Sequence, residues 1–146
     1  MISQTAEYAL RAVVCLATTP GTPMTTQEIA KITKVPQGYL AKVLQALSRG
    51  EIVQSQRGLH GGFILTESPE KISVLDVINV VDPLKHITSC PLKLKAHGTV
   101  LCPLHQRLEN AISMIESTFA ESTIADLLSE QTTSKPLCDE LVLIEN

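Results

Sequence analysis

Tryptophan is missing from this 146-residue chain, and phenylalanine and tyrosine occur only twice each. A core drawn from such a composition has to be aliphatic, and the hydrophobic content of 44% supplies one. No apolar run approaches the roughly 18 residues that cross a bilayer, so a membrane span is not expected. The start, Met1-Ile2-Ser3-Gln4, lacks a basic n-region and a cleavage site, which argues against export and for a cytoplasmic location. In that compartment four cysteines point to free thiols or metal ligands rather than disulfides. Catalytic signatures are missing as well. There is no nucleophile–base motif, no glycine-rich phosphate loop after a strand and no paired carboxylate set, so an enzyme is not expected. Strong positive charge is also absent, the net charge being −3.

The length suits one domain with a real core, or a small domain with a dimerisation arm. Residues 4–18 read as a helix with Ala6, Leu10, Val13, Val14 and Ala17 on one face. Pro20-Gly21-Thr22-Pro23 ends it. Thr25 and Glu28 have the spacing of a capping box for a second helix, to about Ile32. After a turn at residues 33–35, Pro36 suits the first position of a third helix. There Leu40, Val43, Leu44 and Leu47 form a buried stripe, and Gly50 stands where a left-handed cap is wanted. Residues 52–56 and 63–66 read as a hairpin around a tip with three glycines. Ser73 caps a short helix to Val81, ended by Asp82-Pro83. Residues 84–102 show no period and read as a loop. Leu104, Leu108, Ala111, Ile115 and Thr118 or Phe119 then recur at about 3.5 residues, the spacing of a helix that packs on a partner helix. Ser122 or Thr123 caps a last helix to Leu128, and the polar tail from Glu130 is expected to be loosely ordered.

The fold class expected is therefore mostly α with a small β-hairpin wing: a winged helix-turn-helix and a long C-terminal helix. Residues 1–82 form the DNA-binding unit, 83–102 a Cys/His loop, 103–129 the dimerisation helix with a short helix after it, and 130–146 the tail. Such a module puts a helix in the major groove and a hairpin near the minor groove. Gln37, Tyr39 and Lys42 lie in the first turns of the third helix, where side chains reach base edges and phosphates, and Arg49 extends that polar face. Thr26 opens the preceding helix, whose N–H groups can meet a phosphate. Arg57 is the natural minor-groove probe, with His60 beside it on the tip. The charge distribution agrees: residues 1–75 carry seven Lys/Arg against five Asp/Glu, so the local field differs in sign from the total.

Cys90, Cys102, His97, His105 and His86 fall within twenty residues. Thiolates with imidazoles suit an iron–sulfur cluster, zinc or copper, and zinc could use Cys90, Cys102, His105 and His97. A helix start at residue 103 favours thiolate at Cys102. Oxidation of Cys90 or Cys102 is the metal-free alternative. Cys15, among Val13, Val14 and Leu16, reads as a buried structural thiol, and Cys138 carries no assignment.

Glu7-Tyr8-Ala9-Leu10-Arg11, Gly38-Tyr39-Leu40, Lys42-Val43-Leu44, Arg57-Gly58, Gly61-Gly62-Phe63-x-Leu65 and Asp76-Val77-Ile78 resemble the Rrf-two family of bacterial winged-helix repressors, which includes the iron–sulfur regulators IscR and NsrR. The resemblance is dense over residues 2–82 and thinner over 90–128. It implies a homodimer on a pseudo-palindromic double-stranded operator. It also implies a cluster site, in which Cys90 and Cys102 hold the outer cysteine positions and His105 the trailing histidine. The middle position is Ala96, which cannot ligate, while Glu7 stands where some relatives place an acidic ligand reaching across the dimer. Cys90, Cys102, His105 and Glu7 would then hold a two-iron two-sulfur cluster. The alternative implied is a cluster-free member that answers to thiol oxidation, a metabolite or a partner protein.

Overall fold

The N-terminal helix is the pivot of the structure. The computed structural model describes residues 1–137, and Cys138 lies outside them. Helix α1 spans Gln4–Ala17, α2 Thr26–Thr33, α3 Gln37–Arg49, α4 Val74–Val81, α5 Pro103–Glu121 and α6 Ile124–Ser129. Strands β1, Val53–Gln56, and β2, Gly62–Leu65, pair antiparallel with Val53 opposite Leu65 and Gln56 opposite Gly62. Residues Pro69–Lys71 and Lys95–His97 form single 3-10 turns.

Capping chemistry sets the helix starts. Ser3 accepts from the Ala6 N–H at 3.1 Å. Thr25/Glu28, Ser73/Asp76 and Thr123/Asp126 each form a reciprocal capping box. Pro36 takes the N-cap of α3 rather than its first helical position, with φ −55° and ψ 130°.

Burial of α1 goes beyond the expected stripe. Ala6, Ala9, Ala12 and all of Val13 to Ala17 are buried, whereas Leu10 is half-buried. The helix packs against α2, α3, α4, α6 and β2, so its second half has neighbours on every side. Alanine and cysteine let those elements approach closely. Cys15 is buried as expected, and burial pushes its thiol pKa up. The stripe of α3 holds as read: Leu40, Val43, Leu44 and Leu47 are all buried. The core is aliphatic throughout, with Phe63, Phe119 and Tyr8 only at its margin.

Gly50 corrects the cap reading. Its φ is −83°, not left-handed, and the left-handed residue is the next one, Glu51, at φ 60°. What excludes a side chain at Gly50 is packing: a Cβ there would lie 2.5 Å from a Val80 methyl of α4.

The helix after α5 returns to the body. The Ile124 N–H donates to the Ile72 carbonyl at 2.8 Å, the Val74 N–H to the Ser122 carbonyl at 2.9 Å, and Ile124 is fully buried. Helix α5 itself has no buried residue, and Leu104 (62% exposed) and Met114 (72%) stand in the open.

Candidate nucleic-acid interface and Cys/His loop

Helices α2 and α3 meet through a turn in which Lys34 takes φ 56°. The α3 stripe that enters the core leaves Gln37, Tyr39, Lys42 and Arg49 exposed. Tyr39 is 61% exposed, yet its ring meets Tyr8 of α1 edge-on, with centroids 6.3 Å apart. Arg11 lies over the other ring of this pair, 5.6 Å from the Tyr8 centroid, and its Nε donates to the Glu7 carboxylate at 3.1 Å. Tyr8 was not among the site residues read from the sequence, although it stands inside the motif Glu7-Tyr8-Ala9-Leu10-Arg11. Thr26 is half-buried as the first residue of α2, directly after the Thr25 cap.

The wing is braced from outside its own hairpin. The Phe63 N–H donates to the Met24 carbonyl at 2.8 Å, and the Met24 N–H returns a bond to the Phe63 carbonyl at 3.1 Å. Gly62 makes that approach possible, because a Cβ there would sit 2.5 Å from the Met24 carbonyl group. Arg57 and His60 are both exposed on the tip. Among the described residues neither Arg57 nor Lys42 has an ion-pair partner, so both charges are available to a ligand.

The loop between α4 and α5 sorts its donors into pairs. His97 Nδ1 lies 3.4 Å from the Cys90 sulfur, and His105 Nδ1 lies 3.3 Å from the Cys102 sulfur. Cys90 is buried and Cys102 half-buried. A hydrogen bond from the Leu94 backbone, and then the bond with His97, hold the Cys90 thiol below its ordinary pKa. His86, read alongside the sulfur donors, stands elsewhere. Its Nδ1 is 2.6 Å from Glu109 and its Nε2 is 3.0 Å from Glu116, both on α5. Glu109 also accepts the Ile87 N–H at 2.6 Å. The seven-residue spacing of Glu109 and Glu116, two turns on one helix face, was the signal that could have flagged this pair.

The sequence pattern of the Rrf2 family, described as an iron-dependent transcriptional regulator, matches residues 2–130. A curated relative, an HTH-type transcriptional regulator of Aquifex aeolicus (strain VF5), is 34% identical over 132 residues, covering 88% of this chain and 92% of its own. The chain belongs to the Rrf2 family of transcriptional regulators. Among solved structures, T. potens IscR superposes with a TM-score of 0.73 at 27% identity, over 88% of this chain and 85% of that one. CymR (YrzC), the global cysteine regulator of B. subtilis, gives 0.73 at 23% identity over 87% and 95%, and shows the shared fold. Members of the family regulate transcription, and the chain is a regulator rather than an enzyme. No helix among the described residues is long and apolar enough to cross a membrane.

The family's iron dependence poses a question of fit. Two thiols and two imidazoles are suitable donors for iron or zinc in kind. In one chain they stand as two separate pairs, and among the described residues no three His, Cys, Asp or Glu side chains converge on a metal-holding point. Glu7 holds an ion pair with Arg11. A complete ligand set therefore needs either a movement of the loop or a donor from a second chain.

Proposed function

We propose that this regulator is a cytoplasmic repressor that binds a pseudo-palindromic operator as a homodimer, and that residues 83–102 are its sensor. The observation that carries the DNA-binding part is the pairing of a polar α3 face with a braced hairpin bearing the free Arg57. Thr26, Gln37, Tyr39, Lys42, Arg49, Arg57 and His60 are the contacts proposed. Helix α5, with no buried residue and with Leu104, Leu108 and Met114 exposed, supports a second copy as its covering surface.

The sensor reading rests on the chemistry of Cys90, Cys102 and His105. With Glu7 from the second chain they would make four ligands for a two-iron two-sulfur cluster, which supplies redox-dependent charge when bound. This chain's own residues do the rest. Asp82 ends α4, His86 ties the intervening segment to α5, and Cys102 stands at the N-cap position of α5. A loop fixed at both ends in this way transmits its own state to the placement of α4 and α5. An effector shifts that placement only by its difference in affinity for the two arrangements. Protein made and purified without oxygen is expected to be coloured and to contain iron and sulfide. A colourless, metal-free product with redox-insensitive operator binding would remove the cluster.

A second reading is favoured by one geometric observation, the imidazole of His97 resting on the Cys90 sulfur. Control would then run through oxidation of that thiol without metal. Peroxide would raise Cys90 to a sulfenic acid, releasing water, and mass spectrometry of oxidised protein would find one added oxygen on its peptide.

A further inference from the structure

We propose that Leu59 is an apolar wedge that enters the minor groove between two base pairs and kinks the bound duplex. The proposal rests on the DNA-binding reading above and adds a deformation component to it.

The tip of the wing is a four-residue turn, closed by the Gly61 N–H donating to the Gly58 carbonyl at 3.1 Å. That bond leaves Leu59 and His60 as the two apex residues. Leu59 is 96% exposed, so nothing within the described chain uses its side chain. Leu59 stands at the outermost point of the hairpin, beside the exposed Arg57.

Its presentation is stiff. A Cβ at Gly61 would collide with the Gln56 carbonyl, and one at Gly62 would strike the Met24 backbone. Gly58 takes φ 114°. The turn is thus drawn tightly against its own strands, and β2 is clasped by Met24 through two hydrogen bonds. A backbone held this way brings its apex residues to a groove without first losing much of its own freedom. With glycine at 58, 61 and 62, the tip is only two side chains wide, a fit for a minor groove about 6 Å across.

Charge and apolar surface lie side by side here. Arg57 seeks the negative potential of a narrow groove and brings the neighbouring Leu59 to the base edges. Leucine is among the side chains that partly unstack a base step and bend the duplex toward the major groove. The cost of unstacking is least at pyrimidine–purine steps, so the site selected under the wing should carry TA or CA/TG.

The test uses the full chain and duplexes of about 30 base pairs that the wild type recovers from a random pool, labelled at both ends for energy transfer. Wild type should shorten the end-to-end distance. Leu59→Ala should bind about tenfold more weakly, as expected for losing burial of one leucine, and leave the duplex straighter. Leu59→Met should keep both properties, and none of the variants should change the melting temperature, since the side chain packs on nothing. Binding and bending by Leu59→Ala equal to wild type would overturn the wedge while leaving DNA binding intact. Failure of the wild type to recover any duplex would overturn the DNA-binding reading itself, a different and recognisable result.

Discussion

Tyr8 and Tyr39 meet edge to face at an interplanar angle of 63°, joining the N-terminal helix to the first turn of the helix proposed to read DNA. Tyr39 is 61% exposed, and this edge contact with Tyr8 is the ring contact that holds it. Tyr8→Ala should weaken operator binding several-fold although Tyr8 is not itself a proposed contact. It should also lower stability by more than the roughly 0.5–1.5 kcal/mol that an aromatic pair is worth beyond its area burial, because Tyr8 also packs on the core. Tyr39→Phe keeps the ring contact and removes the hydroxyl. Equal operator affinity for Tyr8→Ala and wild type in a titration would deny Tyr8 its positioning role.

Gly50 and Val80 make a steric pair. Gly50→Ala should destabilise the protein by about 1–3 kcal/mol through overpacking against the Val80 methyls. Val80→Ala opens the space, so the double variant should recover much of that loss. Denaturant melts of the four proteins in a cycle measure the coupling directly. Additive effects would mean that the two sites do not press on one another.

The His86 clamp makes stability pH-dependent. Hydrogen bonding to Glu109, followed by the charges of Glu109 and Glu116, raises the His86 pKa above its ordinary 6.5. The bond to His86, and then that from the Ile87 N–H, lowers Glu109 below its ordinary 4.5. The histidine contribution is fully present below pH 6.5 and fades as pH rises through the raised value. The glutamate contribution is present above pH 4.5 and fades as pH falls through the lowered value. His86→Gln should therefore lower the melting temperature more near pH 6 than near pH 9. A deficit of equal size at both pH values would refute an imidazolium at this position.

The Cys/His loop invites paired substitutions. Cys102→Ala should abolish iron retention under anaerobic purification if the cluster reading holds, and His97→Ala should leave it. If Cys90 oxidation is the signal instead, His97→Ala should slow the reaction of Cys90 with peroxide, because the imidazole no longer supports the thiolate. Thiol-labelling rates distinguish the two cases.

Much of this was readable from local chemistry. The Thr25/Glu28 box, the Ser73 cap and the four-residue stripe of α3 are short-range signals, and each stands where the residues place it. Gly50 was misread because glycine after a helix has two uses, backbone freedom and room for a neighbour. Only the position of Val80, thirty residues on, decides between them. The α1 stripe was drawn too narrow for a related reason: alanine carries little periodic signal, and burial on every side depends on which elements surround the helix. Cys102 and His105 could be paired from their helical spacing. Cys90 with His97, and His86 with two glutamates, depend on the path of an irregular loop, about which hydrophobic periodicity says nothing. The set of Cys90, Cys102, His105 and Glu7 is not assembled within one chain.

The most direct measurement is duplex binding across a salt series by wild type and the Lys42→Glu/Arg57→Glu double variant. Wild type should lose affinity steeply as salt rises, with log K falling by about 0.9 per phosphate neutralised for each tenfold rise in salt, and the double variant should bind far more weakly with a shallower slope. Wild-type affinity and slope retained by the double variant would contradict the proposed DNA surface.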